Sequence, residues 1–208
     1  MKTALATPLA ACLIALATAT GGALAAATVG QPAPAFSATD TSGKTVSLAD
    51  FKGRTVVLEW TNPGCPFVQK HYGSANMQAT QKDATAKGVV WLAINSTAAE
   101  ASDYLAPAEL AQWMKAQQAA ATATLMDADG KVGRAYGART TPHLYVVNGA
   151  GTLVYAGGID DKPSASKADI PGATNYVKAA LAETLAGRPV SQPTTRPYGC
   201  SVKYSSGA

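Results

Sequence analysis

Cysteine is scarce in this chain: three in 208 residues, at positions 12, 65 and 200, with no Cys-x-x-Cys pair among them. The familiar exchange between two thiols of one motif is therefore excluded. Histidine is scarcer still, at 71 and 143, and these few widely spaced donors make no zinc pattern. Charge is low, at 14% of residues, and contains no basic run. The formal net charge of +4 includes Lys2, and so mild an excess does not suggest a nucleic-acid partner. Beyond the N-terminal leader no stretch approaches the ~20 apolar residues that a membrane span needs. There is no internal repeat, and no flavin or nicotinamide motif, so any redox cycle needs an external thiol reductant.

What is present suits one globular domain. Hydrophobic residues make up 47% of the chain, enough for a substantial core. Met1-Lys2 is a short basic start, followed by an apolar, Ala-rich run over about residues 10–18. Ala23-Leu24-Ala25 then fits the small-x-small cleavage pattern of a secretory signal peptide. This reading gives a signal over residues 1–25, cleaved near 25–27, and a periplasmic or secreted mature protein. Leu9-Ala10-Ala11-Cys12 has the look of a lipoprotein box, but the apolar run continues past it. Only Cys65 and Cys200 remain after cleavage, in a compartment that permits disulfides.

In chain order, residues 28–38 read as an extended, proline-punctuated lead-in and 40–44 as a turn. Residues 45–48 read as a short strand and 55–60 as a strand apolar on both faces, hence central. A helix is expected after Cys65 to about Ala86, bent or interrupted at Gly73-Ser74. A second buried strand covers 89–95, and a helix covers 107–121 with Leu110, Trp113 and Met114 on one face. A short strand at 124–127 and a helix at 131–136 follow. Residues 144–147 and 152–156 flank Asn148-Gly149-Ala150-Gly151 as a hairpin. Residues 160–171 read as a polar surface excursion, 176–185 as an amphipathic helix, and 190–208 as an irregular tail. Strands alternating with helices, then a hairpin and a last helix, imply an α/β fold: a mixed central sheet flanked by helices.

The chemistry centres on Trp60-Thr61-Asn62-Pro63-Gly64-Cys65-Pro66-Phe67. Proline suits the first position of a helix, which makes Cys65 the expected N-cap. There a sulfur meets unpaired N–H groups and the positive end of the helix dipole, which favour thiolate. Cys65 is the candidate nucleophile. Cys200 is the candidate resolving thiol, since Gly199 and nearby prolines suit a mobile tail; a permanent Cys65–Cys200 bridge is the alternative. Arg139 could stabilise a thiolate or bind a peroxide oxygen, or be a surface charge. His71 could carry a proton or simply pack; Asp160-Asp161 could cap a helix or face solvent. Trp60 and Tyr72 read as packing residues.

The order of elements, with a Cys-Pro turn after the first long strand, resembles the thioredoxin-like superfamily. More narrowly it resembles the redoxins of the alkyl-hydroperoxide-reductase and thiol-specific-antioxidant group. Gly30-Gln31-Pro32-Ala33-Pro34-Ala35-Phe36, Gly43-Lys44-Thr45-Val46-Ser47-Leu48 and Phe51-Lys52-Gly53-Arg54 resemble their N-terminal extension. The resemblance implies a domain over 28–187 and a tail over 188–208 that carries Cys200. It also implies that Thr141-Pro142 is the cis-proline position, where the backbone of Thr141 could pair with an incoming extended peptide. Tyr198-Gly199-Cys200-Ser201 resembles the C-terminal Gly-Cys-Ser segment that some redoxin-like bacterial proteins join to a Gly-Cys-Pro-Phe motif. Two departures stand out. Val68 occupies the place of the second cysteine in Cys-x-x-Cys. Asn62 and Leu58 occupy the threonine and proline positions of the peroxiredoxin pattern Pro-x-x-x-Thr-x-x-Cys, which weakens the implied peroxidase activity.

The expectation is an exported thiol oxidoreductase built on Cys65, Cys200, Thr141, Pro142 and Arg139, with no cofactor and no metal. Its partners would be an external thiol reductant and either a peroxide or a protein disulfide. The competing expectation is a non-catalytic thioredoxin-fold binding module with a structural Cys65–Cys200 disulfide.

Overall fold

The structure, a computed structural model, describes residues 26–206. The leader assigned to residues 1–25, with Cys12, lies outside the described residues. A seven-stranded mixed sheet runs in the order β2-β1-β5-β4-β3-β7-β8. Its strands are β1 Ser37–Asp40, β2 Thr45–Ser47, β3 Val56–Trp60, β4 Val90–Asn95, β5 Ala123–Met126, β7 His143–Val147 and β8 Leu153–Gly157. β3 pairs parallel with β4 and antiparallel with β7, so Trp60 lies beside both Ile94 and His143. Among the described residues the α-helices are α1 Pro66–Gly73, α2 Asn76–Ala86, α3 Pro107–Ala116, α4 Lys131–Tyr136 and α5 Tyr176–Leu185. A separate two-residue strand, β6 Thr140–Thr141, pairs with β9 Cys200–Ser201 near the end of the chain.

The apolar runs explain this order. Every residue of β3 and β4 is buried, as a strand covered on both faces requires. One face sends Val57, Trp91, Leu144 and Val146 into a core shared with α1, α2, α3 and α5. The other sends Val56, Leu58, Trp60 and Ile94 towards α4 and the N-terminal segment around Phe36. Glu59 interrupts the first face and is fully buried. Its carboxylate accepts from Tyr72 Oη at 2.9 Å, Gln81 Nε2 at 3.0 Å and Trp91 Nε1 at 2.7 Å, joining β3 to α1, α2 and β4. Burial still pushes its pKa up against those three donors. Tyr72, read from sequence as packing alone, is thus also a hydrogen-bonding residue.

Several boundaries differ from expectation. The lead-in closes a hairpin, because Asp40 Oδ1 accepts from the amides of Ser42 and Lys44 and turns β1 back on β2. The helix after Cys65, by contrast, is interrupted where Gly73-Ser74 led one to expect: α1 ends at Gly73 and α2 starts after Ala75, whose φ of 59° ends helical geometry. α3 stops at Ala116 rather than 121, since Gln118 also takes a positive φ of 53°. The segment read as a surface excursion begins with Asp160, which is buried at 2% exposure. The tail has little regular structure but is not loose: residues 193–195 bond to Ala156 at the edge of β8.

His143 is buried at the start of β7, with its ring centroid 4.5 Å from that of Tyr145. Burial first, and the nearby Arg139 charge second, lower its pKa to about 3. An unfolded chain binds a proton there below about pH 6.5, whereas the folded protein does not until far lower pH. This residue's contribution to stability therefore falls as pH falls from about 6.5 towards 3. Between pH 7 and pH 5, wild type is expected to lose about 2 kcal/mol more unfolding free energy than His143→Gln. Urea titrations at both pH values check this; equal losses would contradict it.

Candidate active site

The cysteine turn is fixed by Asn62. Its carbonyl oxygen accepts the Cys65 amide at 3.0 Å, and its Oδ1 accepts the Gly64 amide at 2.8 Å. Its Nδ2 donates to Thr97 Oγ1 at 3.1 Å and to Asp103 Oδ2 at 2.9 Å. Glycine is needed at 64 because a Cβ there would come within 3.0 Å of the Asp103 side chain. Pro66 then occupies the first turn of α1 and Cys65 is its N-cap, as the Cys-Pro order implies. The sulfur makes no capping bond to the helix amides. It lies instead 3.0 Å from the Thr141 carbonyl oxygen and 2.7 Å from the sulfur of Cys200. Cys65 is only 2% exposed, and both thiols are free.

Thr141 and Pro142 join through a cis peptide beside this sulfur. β9 runs antiparallel along β6, with Cys200 opposite Thr141 and Ser201 opposite Thr140. Four of the five expected site residues, Cys65, Cys200, Thr141 and Pro142, therefore meet in one place. Arg139 is the fifth, and its side chain is exposed. Its carbonyl oxygen accepts the Val202 amide at 3.0 Å, and its charge acts on His143 and Tyr145. Among the described residues its guanidinium has no hydrogen bond or ion pair, so what it gives the tail is its backbone carbonyl.

Residues that sequence reading passed over hold the tail on both sides of Cys200. Downstream, Lys203 Nζ meets Asp103 Oδ2 at 2.5 Å and the Lys203 carbonyl accepts the Ala98 amide at 2.8 Å. Tyr204 Oη donates to the Ala138 carbonyl at 2.7 Å, and the ring lies 4.6 Å from the Arg134 guanidinium. Upstream, Tyr198 reaches His71 and Asp160. Asp103 thus serves the cysteine turn through Asn62 and the tail through Lys203. Burial would raise its pKa, but the bonds from Lys203 and Asn62 outweigh that and lower it. A faint sequence signal existed: Tyr198, Lys203 and Tyr204 flank Cys200 in an otherwise Pro-, Ser- and Thr-rich stretch.

Burial, and then contact with the Cys65 sulfur, push the Cys200 thiol up to about 12. The Cys200 thiol therefore keeps its proton at neutral pH. Asp161 accepts the Thr174 amide at 2.9 Å, while Asp160 belongs to the Tyr198 contact.

Residues 29–156 match the AhpC/TSA family. The chain belongs to that family. Its fold is thioredoxin-like, with the redoxin extension at its N-terminus. A hypothetical protein of Sinorhizobium meliloti has a similar structure, with a TM-score of 0.74 and 27% identity over 88% of this chain and 98% of that one. An uncharacterized conserved protein of Geobacillus kaustophilus is similar at a TM-score of 0.73 and 29% identity, over 87% and 94% of the two chains. A protein from Bacteroides thetaiotaomicron, described as a candidate protein disulfide isomerase, shares the fold at a TM-score of 0.51 and 17% identity, over 62% and 78%. No curated protein matches. Both of the first two likenesses extend well beyond the segment common to the AhpC/TSA family.

Gly199 carries the most direct test of tail docking. Its φ is 138°, and a Cβ would be driven into the Thr141 carbonyl, within 2.7 Å of its carbon. Such strain is worth roughly 1–3 kcal/mol, or about tenfold in an opening equilibrium per 1.4 kcal/mol. Gly199→Ala is expected to speed the reaction of Cys200 with an aromatic disulfide reagent about tenfold in the reduced protein. An unchanged rate would contradict the docking.

Proposed function

We propose that this protein is an exported thiol oxidoreductase in which Cys65 attacks and Cys200 resolves. The observation that carries this reading is the 2.7 Å approach of the two sulfurs at the N-terminus of α1. A second cysteine is absent from the turn itself, where Val68 stands in its place and packs into the core. The tail supplies one instead. Export rests on the leader read from the sequence at residues 1–25 and on the survival of only two cysteines after its removal.

With a protein disulfide, the Cys65 thiolate attacks one sulfur and a mixed disulfide forms as the partner's other sulfur leaves. Cys200 then gives up its proton and attacks the Cys65 sulfur. The Cys65–Cys200 bridge forms, the partner's second sulfur departs as a thiol, and the partner is reduced by two electrons. An extended partner segment suits this site, because β6 already accepts a strand through its backbone and any extended chain offers the same groups. Membership of the AhpC/TSA family favours a second substrate, a peroxide. The O–O bond would break on attack by Cys65, leaving a sulfenic acid and an alcohol or water. Condensation with Cys200 would release water and give the same bridge. In either route an external dithiol returns both cysteines to the reduced state.

The roles separate in single variants. Cys200→Ser is expected to trap a mixed disulfide on Cys65 that mass spectrometry detects after exposure to a disulfide substrate, while Cys65→Ser traps none. Turnover with an external dithiol should fall by roughly a hundredfold or more in either variant. Turnover unaltered by either change would sink the mechanism, and a wild-type protein with no turnover at all would leave the non-catalytic binding module.

A further inference from the structure

Tyr198 lies two residues before Cys200 and enters a buried socket between α1 and the segment after β8. Asn76 Nδ2 is 2.8 Å from His71 Nδ1, and an amide nitrogen can only donate, so Nδ1 accepts. Burial lowers the His71 pKa to about 4, so the ring is neutral and its one proton sits on Nε2. That N–H reaches Tyr198 Oη at 3.0 Å, and Tyr198 passes its own proton's hydrogen bond to Asp160 Oδ1. The chain of donors has one consistent direction, from Asn76 through His71 and Tyr198 to Asp160. The ring is held as well: Phe67, two residues after Cys65, packs edge-on at 5.9 Å, and Lys70 Nζ lies 5.5 Å from the ring centroid. Lys70 is itself tied to the Lys162 carbonyl at 2.8 Å.

The socket has a second feature. Asp160 Oδ1 also accepts the Lys162 amide at 3.0 Å, but the buried Oδ2 has no partner among the described residues and lies 4.0 Å from His71 Nε2. If Tyr198 withdraws, the His71 N–H can turn to that oxygen, and neither side chain is stranded. Releasing the tail therefore costs less than opening an ordinary buried contact, which leaves both partners unsatisfied. A groove of about 530 Å³ bordered by Phe67, Tyr176, Arg196 and Tyr198 gives solvent access to this side of the tail.

We propose that Tyr198 is the positioning residue for Cys200: its hydroxyl locks into the His71–Asp160 socket, sets the register of β9 on β6, and is built to let go when an external partner needs Cys65. This rests on the reading of Cys200 as resolving thiol. The test uses Tyr198→Phe, which keeps the ring against Phe67 and Lys70 and removes only the hydroxyl. The dithiol protein is equilibrated with glutathione disulfide, so that forming the Cys65–Cys200 bridge consumes one glutathione disulfide and releases two glutathiones. The effective concentration of Cys200 towards Cys65 is expected to fall about tenfold in the variant, the size of a hydrogen bond to a charged group. Val90→Ala, on the opposite face of the sheet, should lower global stability and leave this equilibrium unchanged.

Hydrogen exchange of the Val202 amide, followed in a Cys65→Ser, Cys200→Ser background, reports the tail without any redox chemistry. Tyr198→Phe should speed it about tenfold. An unchanged effective concentration, or unchanged exchange, overturns the proposal. If wild type forms no bridge while the variant still frees the tail, the resolving role of Cys200 has failed and the proposal falls with it. If the bridge forms equally well in both proteins, the resolving role stands and only the assignment to Tyr198 is wrong.

Discussion

Two sulfurs 135 positions apart in sequence meet at 2.7 Å because a strand of two residues lies along another strand of two residues. So little regular pairing cannot hold a tail alone, since a two-residue ladder contributes only a few net hydrogen bonds of about 1 kcal/mol each. The surrounding contacts do the rest: Tyr198 in its socket before Cys200, then Val202, Lys203 and Tyr204 bonded to the chain beyond it. These anchors combine polar bonds with partial packing, since Tyr198 and Val202 also lie against the two cores. The tail is therefore ordered by many small contacts rather than by its two-residue strand.

On the other side of the pair, rigidity comes from the sheet. β3 is covered on both faces, flanked by β4 and β7, and tied through Glu59 to α1, α2 and β4. Its end therefore delivers the turn of Asn62, Pro63, Gly64 and Cys65 at a fixed place relative to β7 and the cis-proline loop just before it. The arrangement places one thiol on the frame and its partner on the C-terminal segment. Such a division suits exchange with an external sulfur, which needs access to the fixed thiol and a resolving thiol that returns afterwards.

The frame was legible in the sequence, because burial on two faces leaves continuous apolar runs such as Val56-Val57-Leu58 and Val89-Val90-Trp91-Leu92. Proline after cysteine likewise marked the N-cap. The tail was only half legible. Cys200 stood out by chemistry, but its flanks have neither period nor turn signature, and their order comes from contacts with Ala98, Asp103, Ala138 and Arg139, which lie far away in sequence. His71 and Asp160 were read as possible surface or packing residues for the same reason. A buried polar residue reveals itself only when its partner is known, and here that partner is Tyr198. Arg139 shows the same limit from the other direction: its closeness in sequence to the cis-proline loop left a role at the sulfur and a surface charge equally open, and its side chain is exposed.

The central claim is that Cys65 and Cys200 are a working couple rather than a brace. The reduction potential of their bridge decides this most directly, measured in the protein without residues 1–25 against a graded dithiol buffer with both cysteines quantified by mass spectrometry. The account predicts one two-electron transition confined to Cys65 and Cys200, lying between about −120 and −270 mV, the range of exchange-active dithiols. A bridge that opens only below about −300 mV, the range of structural disulfides, would contradict it.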